Sequence, residues 1–254
     1  MSAVIIRDIH QLRDSPQFSI VAVDGLLSAE AALKEAMRYV PYGKEHHGVW
    51  SPAFTRIILD AASQVDSVWK AVAKQLCLPR AGDRMTISDH FDEFGALVAK
   101  ERVVFFGGSP PCALTPFGSW QNGYSRLDWW EAYNLLKHDR FSHQSQAKRE
   151  HAVNAVAALL LTVIYCGICD LALNFAMLLD PSSSNPWAYT KSELLRDVSF
   201  ECHAKFETKL FAHPLGIFAA ENCNLSNHWI SGSPRFNIWW ALNAQDYTMP
   251  FTRG

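Results

Sequence analysis

The chain has 254 residues, of which 49% are hydrophobic and 19% charged, and its formal net charge is −2. A composition this apolar excludes a disordered tail and is long enough for one large core. A charge this close to zero excludes a global basic field, so any polyanion contact must rest on a local patch. The six cysteines, Cys77, Cys112, Cys166, Cys169, Cys202 and Cys223, are irregularly spaced. With no signal-peptide-like apolar stretch at the N-terminus, they read as reduced thiols of a cytoplasmic protein.

In chain order, Phe18–Val23 reads as a short strand and Ser28–Tyr39 as a helix capped by Ser28 and stopped by Pro41. A polar loop with His46 and His47 follows. Ser51-Pro52 then opens a helix to about Leu76, because a capping serine precedes proline at the first helical position. On this helix Phe54, Ile57, Ile58, Ala61, Val65, Val68, Trp69, Val72 and Leu76 share one apolar face. Asp66 stands at the edge of that face, where an unpaired carboxylate is costly. Its expected partners are Lys137 and Arg140.

Ser88 is the expected cap of a helix to about Lys100, and Val103–Phe106 an apolar strand before a Gly/Pro-rich loop. Ser125-x-x-Asp128 resembles a capping box and opens a helix over Trp129–Phe141. After a break near Ser142, a long helix runs from about Ser145 to Leu179. It is apolar nearly all round, with one polar residue between Ala155 and Cys169, and this marks a central helix. The apolar run is too short to span a bilayer, so no membrane role is expected. Pro181–Pro186 is a linker. Residues 200–210 alternate apolar or uncharged with charged or His side chains with a period of two, so 198–211 is expected to form a strand. His228–Ser231 and Arg235–Trp240 flank a Gly-Ser-Pro turn and read as a hairpin. The fold class is therefore α+β: a helical core domain over residues 1–180, mainly a bundle, with a C-terminal antiparallel β segment over 181–254 packed on it.

The segment Trp129–His143 concentrates chemistry. At about 100° per residue, Trp129, Trp130, Tyr133, Asn134, Lys137, Arg140 and Phe141 fall within a sector of about 140° of a helix. Arg140 and Lys137 suit phosphate contact, since arginine offers a permanently charged bidentate fork. His138 and His143 suit acid/base work, because histidine titrates near neutral pH. Trp130 and Tyr133 offer stacking faces for a base, with Asn134 and Asp66 completing a substrate-binding set. No P-loop and no G-x-S-x-G occurs. His46, His47, Cys202, His203, His213, Cys223 and His228 show no recognised metal spacing, so no metal and no cofactor is expected.

The pattern Trp-x-x-x-Tyr-Asn-x-x-Lys-His-x-Arg, here Trp129 to Arg140, followed by a long Ala/Leu-rich helix, resembles uncharacterised bacterial proteins of the HEPN (higher eukaryotes and prokaryotes nucleotide-binding) class. The resemblance covers roughly residues 51 to 179. It implies a helical bundle that often dimerises and, in many members, cleaves RNA without a metal. The implied setting is bacterial defence or a toxin–antitoxin pair. In active members an Arg, four to six residues and a His form the ribonuclease centre. Here Arg140 and His143 are separated by only two residues, while Arg84–His90 and Arg196–His203 carry the longer spacing. The expected partners are thus RNA or a nucleotide, and a second copy of the chain or another protein. The alternative is a non-catalytic interaction protein whose Trp-rich helix face packs a partner.

Overall fold

The structure is a computed structural model that describes residues 16–41, 43–108, 111–165, 169, 172, 179–180 and 205–214. It is α+β and mainly helical. Among the described residues, five α-helices, α1 (Pro16–Met37), α2 (Pro52–Gln75), α3 (Ile87–Val98), α4 (Asp128–His138) and α5 (Arg149–Tyr165), accompany five short strands. The strands are β1 (Val103–Phe105), β2 (Cys112–Leu114), β3 (Leu179–Asp180), β4 (Lys205–Glu207) and β5 (Phe211–Pro214).

The centre of the fold is α5, whose residues from Ala155 to Ile164 are all buried. A helix apolar on every side has no wet face and must be surrounded; α5 packs against α1, α2, α3 and α4. Its start is fixed by Arg149, a fully buried side chain whose guanidinium donates to the carbonyls of Pro41 and of Gly43, the latter at 2.7 Å. This ties α5 to the loop between α1 and α2. The helix begins at Arg149, not Ser145, because a 3-10 turn (Gln144–Gln146) and a bridge between Lys148 and Trp50 take the preceding residues.

Helix α2 matches its sequence signature. The Ser51 hydroxyl accepts from the Ala53 N–H at 3.2 Å, Pro52 is the first helical residue, and the predicted apolar face is buried from Phe54 to Val72, with Leu76 half-buried at the helix end. Helix α1 differs from expectation. Phe18–Val23 is helical, and the helix expected from Ser28 already starts at Pro16. The β-branched run conceals a helical spacing: Ser19, Ala22, Val23, Leu26, Ala29, Glu30 and Leu33 are buried together. Helix α3 is capped by Thr86 rather than Ser88. The Asp89 carboxylate accepts from the Thr86 N–H at 2.8 Å and from its hydroxyl at 2.7 Å.

The sheet is antiparallel throughout, in the order β2-β1-β5-β4-β3. Strands from both sides of residue 181 therefore share one sheet, with Val104 opposite Ala212 and Phe105 opposite Phe211. The single strand expected over 198–211 is instead a hairpin: β4 and β5 pair through a turn at Thr208–Leu210. The turn is held from α1 by Glu30, a buried carboxylate that accepts from the Leu210 N–H at 2.6 Å and from the Thr208 hydroxyl. Leu179, the expected end of the central helix, lies in β3. Strand β2 falls where only loop was expected. Residues 198–204, the Pro181–Pro186 linker and the hairpin at His228–Trp240 lie outside the described residues. No helix among the described residues is long and apolar enough to cross a membrane.

Candidate functional site

Helix α4 begins after Leu127 with no side-chain cap, so Ser125 and Asp128 do not form the expected box. The Ser125 carbonyl instead accepts from the Trp120 indole at 2.9 Å. Asp128 and Glu131 in the first turn complement the positive end of the helix dipole. The inward face carries Trp129, Trp130, Tyr133 and Leu136, all buried. Trp129 donates to the Pro116 carbonyl at 2.8 Å and meets Phe117 edge-on. Trp130 lies with its ring centroid 5.2 Å from Tyr133 and 6.2 Å from His90. The stacking surfaces expected for a base at Trp130 and Tyr133 are thus taken by the chain's own aromatic cluster.

Helix α4 ends at His138, not Phe141, since Asp139 leaves helical geometry (φ −146°, ψ 83°). The helical sector that placed Arg140 and Phe141 beside Lys137 therefore stops short of both. They stand on a tight turn instead. The His143 N–H donates to the Asp139 carbonyl at 3.2 Å, and the Ser142 N–H to the Asp139 carboxylate at 3.1 Å. Hydrogen bonds from Ser142, its hydroxyl first and then its N–H, hold the Asp139 carboxyl below the usual range. The turn continues into the 3-10 segment through Gln146 N–H to the His143 carbonyl at 2.9 Å.

On this knuckle between α4 and α5, Lys137, His138 and Arg140 are exposed, His143 is half-buried and Phe141 is 86% exposed. Lys137 donates to the Tyr133 hydroxyl at 3.1 Å, with its ammonium 5.1 Å from the ring centroid. Tyr133 thereby positions Lys137 from the core side. Arg140 makes no hydrogen bond or ion pair among the described residues. Asn134 is half-buried on the same helix. The exposed groups of the knuckle stand at a helix end and on the turn that follows it.

Asp66 is not joined to α4 by charge, contrary to expectation. Its carboxylate accepts from Lys70 at 2.7 Å, one turn along α2, and from His90 Nε2 at 2.8 Å on α3. Burial works to raise the Asp66 carboxyl, but the bonds from His90 and Lys70 together outweigh it and hold it low. His90 is fully buried among Trp69, Phe94 and Trp130, and among the described residues its Nδ1 has no hydrogen-bond partner. Asp66 is thus linked to α4 through the His90 ring, which lies against Trp130. Arg84, at the long spacing from His90, is exposed in a loop while His90 is enclosed, so the two do not form an Arg–His centre. Arg196–His203 lies outside the described residues.

Two further clusters escaped the sequence. Glu150 at the start of α5 is bracketed by His47 Nδ1 at 3.7 Å and His151 Nε2 at 3.8 Å, and the Nδ1–H of His151 donates to the Gln146 carbonyl at 2.9 Å. On β5, the central strand of the sheet, buried His213 donates from Nδ1 to the Arg102 carbonyl at 2.7 Å. Its Nε2 lies 3.0 Å from the Tyr165 hydroxyl and 3.4 Å from Glu101. A carbonyl only accepts, which fixes the Nδ1–H form of both histidines. Among the described residues, no three His, Cys, Asp or Glu are arranged to hold a metal ion. Cys202, His203, Cys223 and His228 lie outside them.

Comparisons with protein-family models, with curated proteins and with solved structures return no match.

Proposed function

We propose that this chain is a HEPN-like protein that acts on RNA or a nucleotide through the knuckle between α4 and α5, as a metal-independent ribonuclease in a bacterial defence or toxin–antitoxin context. The observation that carries this reading is the exposure of Lys137 and His138 at the C-terminal end of α4 and of Arg140 on the turn that follows it. The acidic neighbour, Asp139, is engaged by Ser142, and Arg140 has no ion partner among the described residues. A cation without an internal partner is available for a phosphate, and guanidinium suits two of its oxygens at once.

In this reading Lys137 and Arg140 hold the backbone phosphate. One of His138 and His143 takes the proton of the ribose 2′-hydroxyl. That oxygen attacks the adjacent phosphorus, the bond to the 5′-oxygen breaks, and the other histidine protonates the leaving oxygen. Arg140 stabilises the charge that develops on the phosphorane. Tyr133 contributes by fixing Lys137, and Trp130 by holding Tyr133. The alternative, in which the Trp-rich face of α4 packs a partner, is disfavoured by the burial of Trp129 and Trp130 within this chain.

The test is cleavage of a mixed RNA set in excess chelator by wild type, Arg140→Ala and His143→Ala. The reading expects cleavage by wild type, leaving 2′,3′-cyclic phosphate ends, and a loss of at least about 100-fold in each variant. Cleavage unchanged in both variants removes the site; no cleavage by wild type removes the ribonuclease.

A further inference from the structure

The chain around Trp50 runs beside the chain that leads from the knuckle into α5. The Ser51 N–H donates to the Ala147 carbonyl at 3.2 Å, and the Arg149 N–H to the Val49 carbonyl at 3.1 Å. Trp50 and Lys148 between them are directly opposed in an antiparallel bridge, without a hydrogen bond to each other. In such a pair the two side chains lie close together on one face. Trp50 is 47% exposed, and the Lys148 ammonium stands 3.9 Å from the Glu150 carboxylate.

Glu150 is surrounded but not bonded. His47 Nδ1 lies 3.7 Å from one carboxylate oxygen and His151 Nε2 3.8 Å from the other. All three approaches are longer than a hydrogen bond, so among the described residues the carboxylate accepts none. The His151 side chain is nine-tenths buried, and its Nδ1–H is engaged by the Gln146 carbonyl. Its Nε2 therefore turns a lone pair toward the carboxylate. Two acceptors face each other, an arrangement that a donor from outside completes. The Glu150 side chain is one-third exposed, so such a donor reaches it from solvent.

We propose that this cluster is a subsite for a guanine base, a proposal that rests on the reading of the chain as acting on RNA or a nucleotide. The Watson–Crick edge of guanine carries an N–H on N1 and an amino group on N2, beside the O6 acceptor. The two oxygens of Glu150 and the Nε2 of His151 supply acceptors for these three hydrogens, and Lys148 supplies a donor for O6. Adenine and cytosine each set a ring acceptor beside their amino group, and uracil sets an acceptor on either side of its one N–H. Each of these would place an acceptor against the carboxylate and leave part of the cluster unpaired. Trp50 provides the stacking face that burial denies to Trp130 and Tyr133. The Gln146 carbonyl that orients His151 belongs to the 3-10 segment continuing the knuckle, so one short stretch of chain fixes both sites.

The test is fluorescence anisotropy of labelled pentanucleotide RNAs with guanine, hypoxanthine or adenine at the centre of uridines, alongside calorimetry with free GMP and AMP. Hypoxanthine keeps N1–H and O6 but lacks the amino group. Wild type is expected to bind the guanine RNA about 10–100-fold more tightly than the adenine RNA, with hypoxanthine between them. Glu150→Gln keeps the side chain's size but loses its charge and one acceptor, and is expected to bind guanine no better than adenine. Trp50→Ala is expected to weaken all three RNAs alike, by about tenfold, as loss of one stacking face does. Lys137→Ala/Arg140→Ala is expected to weaken all three and keep their order. Unchanged RNA affinity in that double variant, with the order intact, counts against the knuckle and leaves the subsite standing. A preference for GMP over AMP by a wild type that binds none of the RNAs supports the subsite and counts against action on RNA. A wild type that prefers guanine neither in the RNAs nor in the mononucleotides overturns the proposal, as does a preference that survives in Glu150→Gln.

Discussion

His90 Nε2 lies 2.8 Å from Asp66 Oδ1 and joins α3 to α2 within the aromatic cluster that supports α4. The carboxylate, which Lys70 also holds, has its proton affinity lowered by the fold. A carboxyl lowered in the folded state contributes stability that is present above the unfolded value of 3.8 and is lost as pH falls through the folded one. Stability should therefore fall in acid below about pH 4. Asp66→Asn should destabilise the protein by about 1–3 kcal/mol at pH 7 and flatten that acid loss. Urea unfolding of both proteins at pH 7 and below pH 4 checks this; equal acid sensitivity would contradict it.

Glu30 reaches from α1 to the β4–β5 turn, where Leu210 N–H and the Thr208 hydroxyl bond its carboxylate. Glu30→Ala leaves these buried donors without their acceptor and should destabilise by about 2–4 kcal/mol. The loss is local as well as global. Hydrogen exchange at Leu210 and Phe211 should quicken more than at the centre of α5, and uniform quickening would argue against the clamp.

Arg149 is buried in full and donates to two loop carbonyls. Lysine keeps the charge but offers no planar fork. Arg149→Lys should therefore destabilise by about 2–4 kcal/mol, because a buried charge is left poorly paired. Near-wild-type thermal unfolding of this variant would show that charge alone suffices.

Tyr133 and Lys137 give a prediction that separates positioning from folding. Tyr133→Phe removes one hydroxyl that bonds Lys137. Stability should change by less than about 1.5 kcal/mol, the net worth of one such bond. RNA affinity should fall several-fold, about as far as in Lys137→Ala. Unaltered affinity in Tyr133→Phe alongside a loss in Lys137→Ala would show that Lys137 needs no positioning.

Much of the helical frame was legible because independent signals agreed. At α2, a serine cap, a first-position proline and a 3.6-residue apolar stripe point to one helix, and it formed. At α1, a short β-branched run hid the longer helical spacing on both sides of it. The period of two over residues 200–210 ran on into the turn at Thr208–Leu210, so the alternation was visible but the fold-back was not; the clamp on that turn comes from Glu30, far away in sequence. The same distance hid the partner of Asp66. Its position at the edge of an apolar face announced the need for one, but His90 sits in a polar-looking stretch, and nothing local marks it as buried. The knuckle chemistry was legible as composition, while its geometry depended on Asp139 ending α4 three residues early.

The central claim is that the knuckle engages a polyanion, and salt-dependent RNA affinity tests it without requiring turnover. Counterion release gives a log–log slope of about −0.7 per phosphate contacted on single strands. Fluorescence anisotropy of a labelled RNA, titrated with the protein at several salt concentrations, should show binding that weakens with salt. In Lys137→Ala/Arg140→Ala the slope should shrink by about 1.4, two contacts' worth. A wild-type protein that binds no RNA at low salt, or a double variant with the same affinity and slope, would contradict the account.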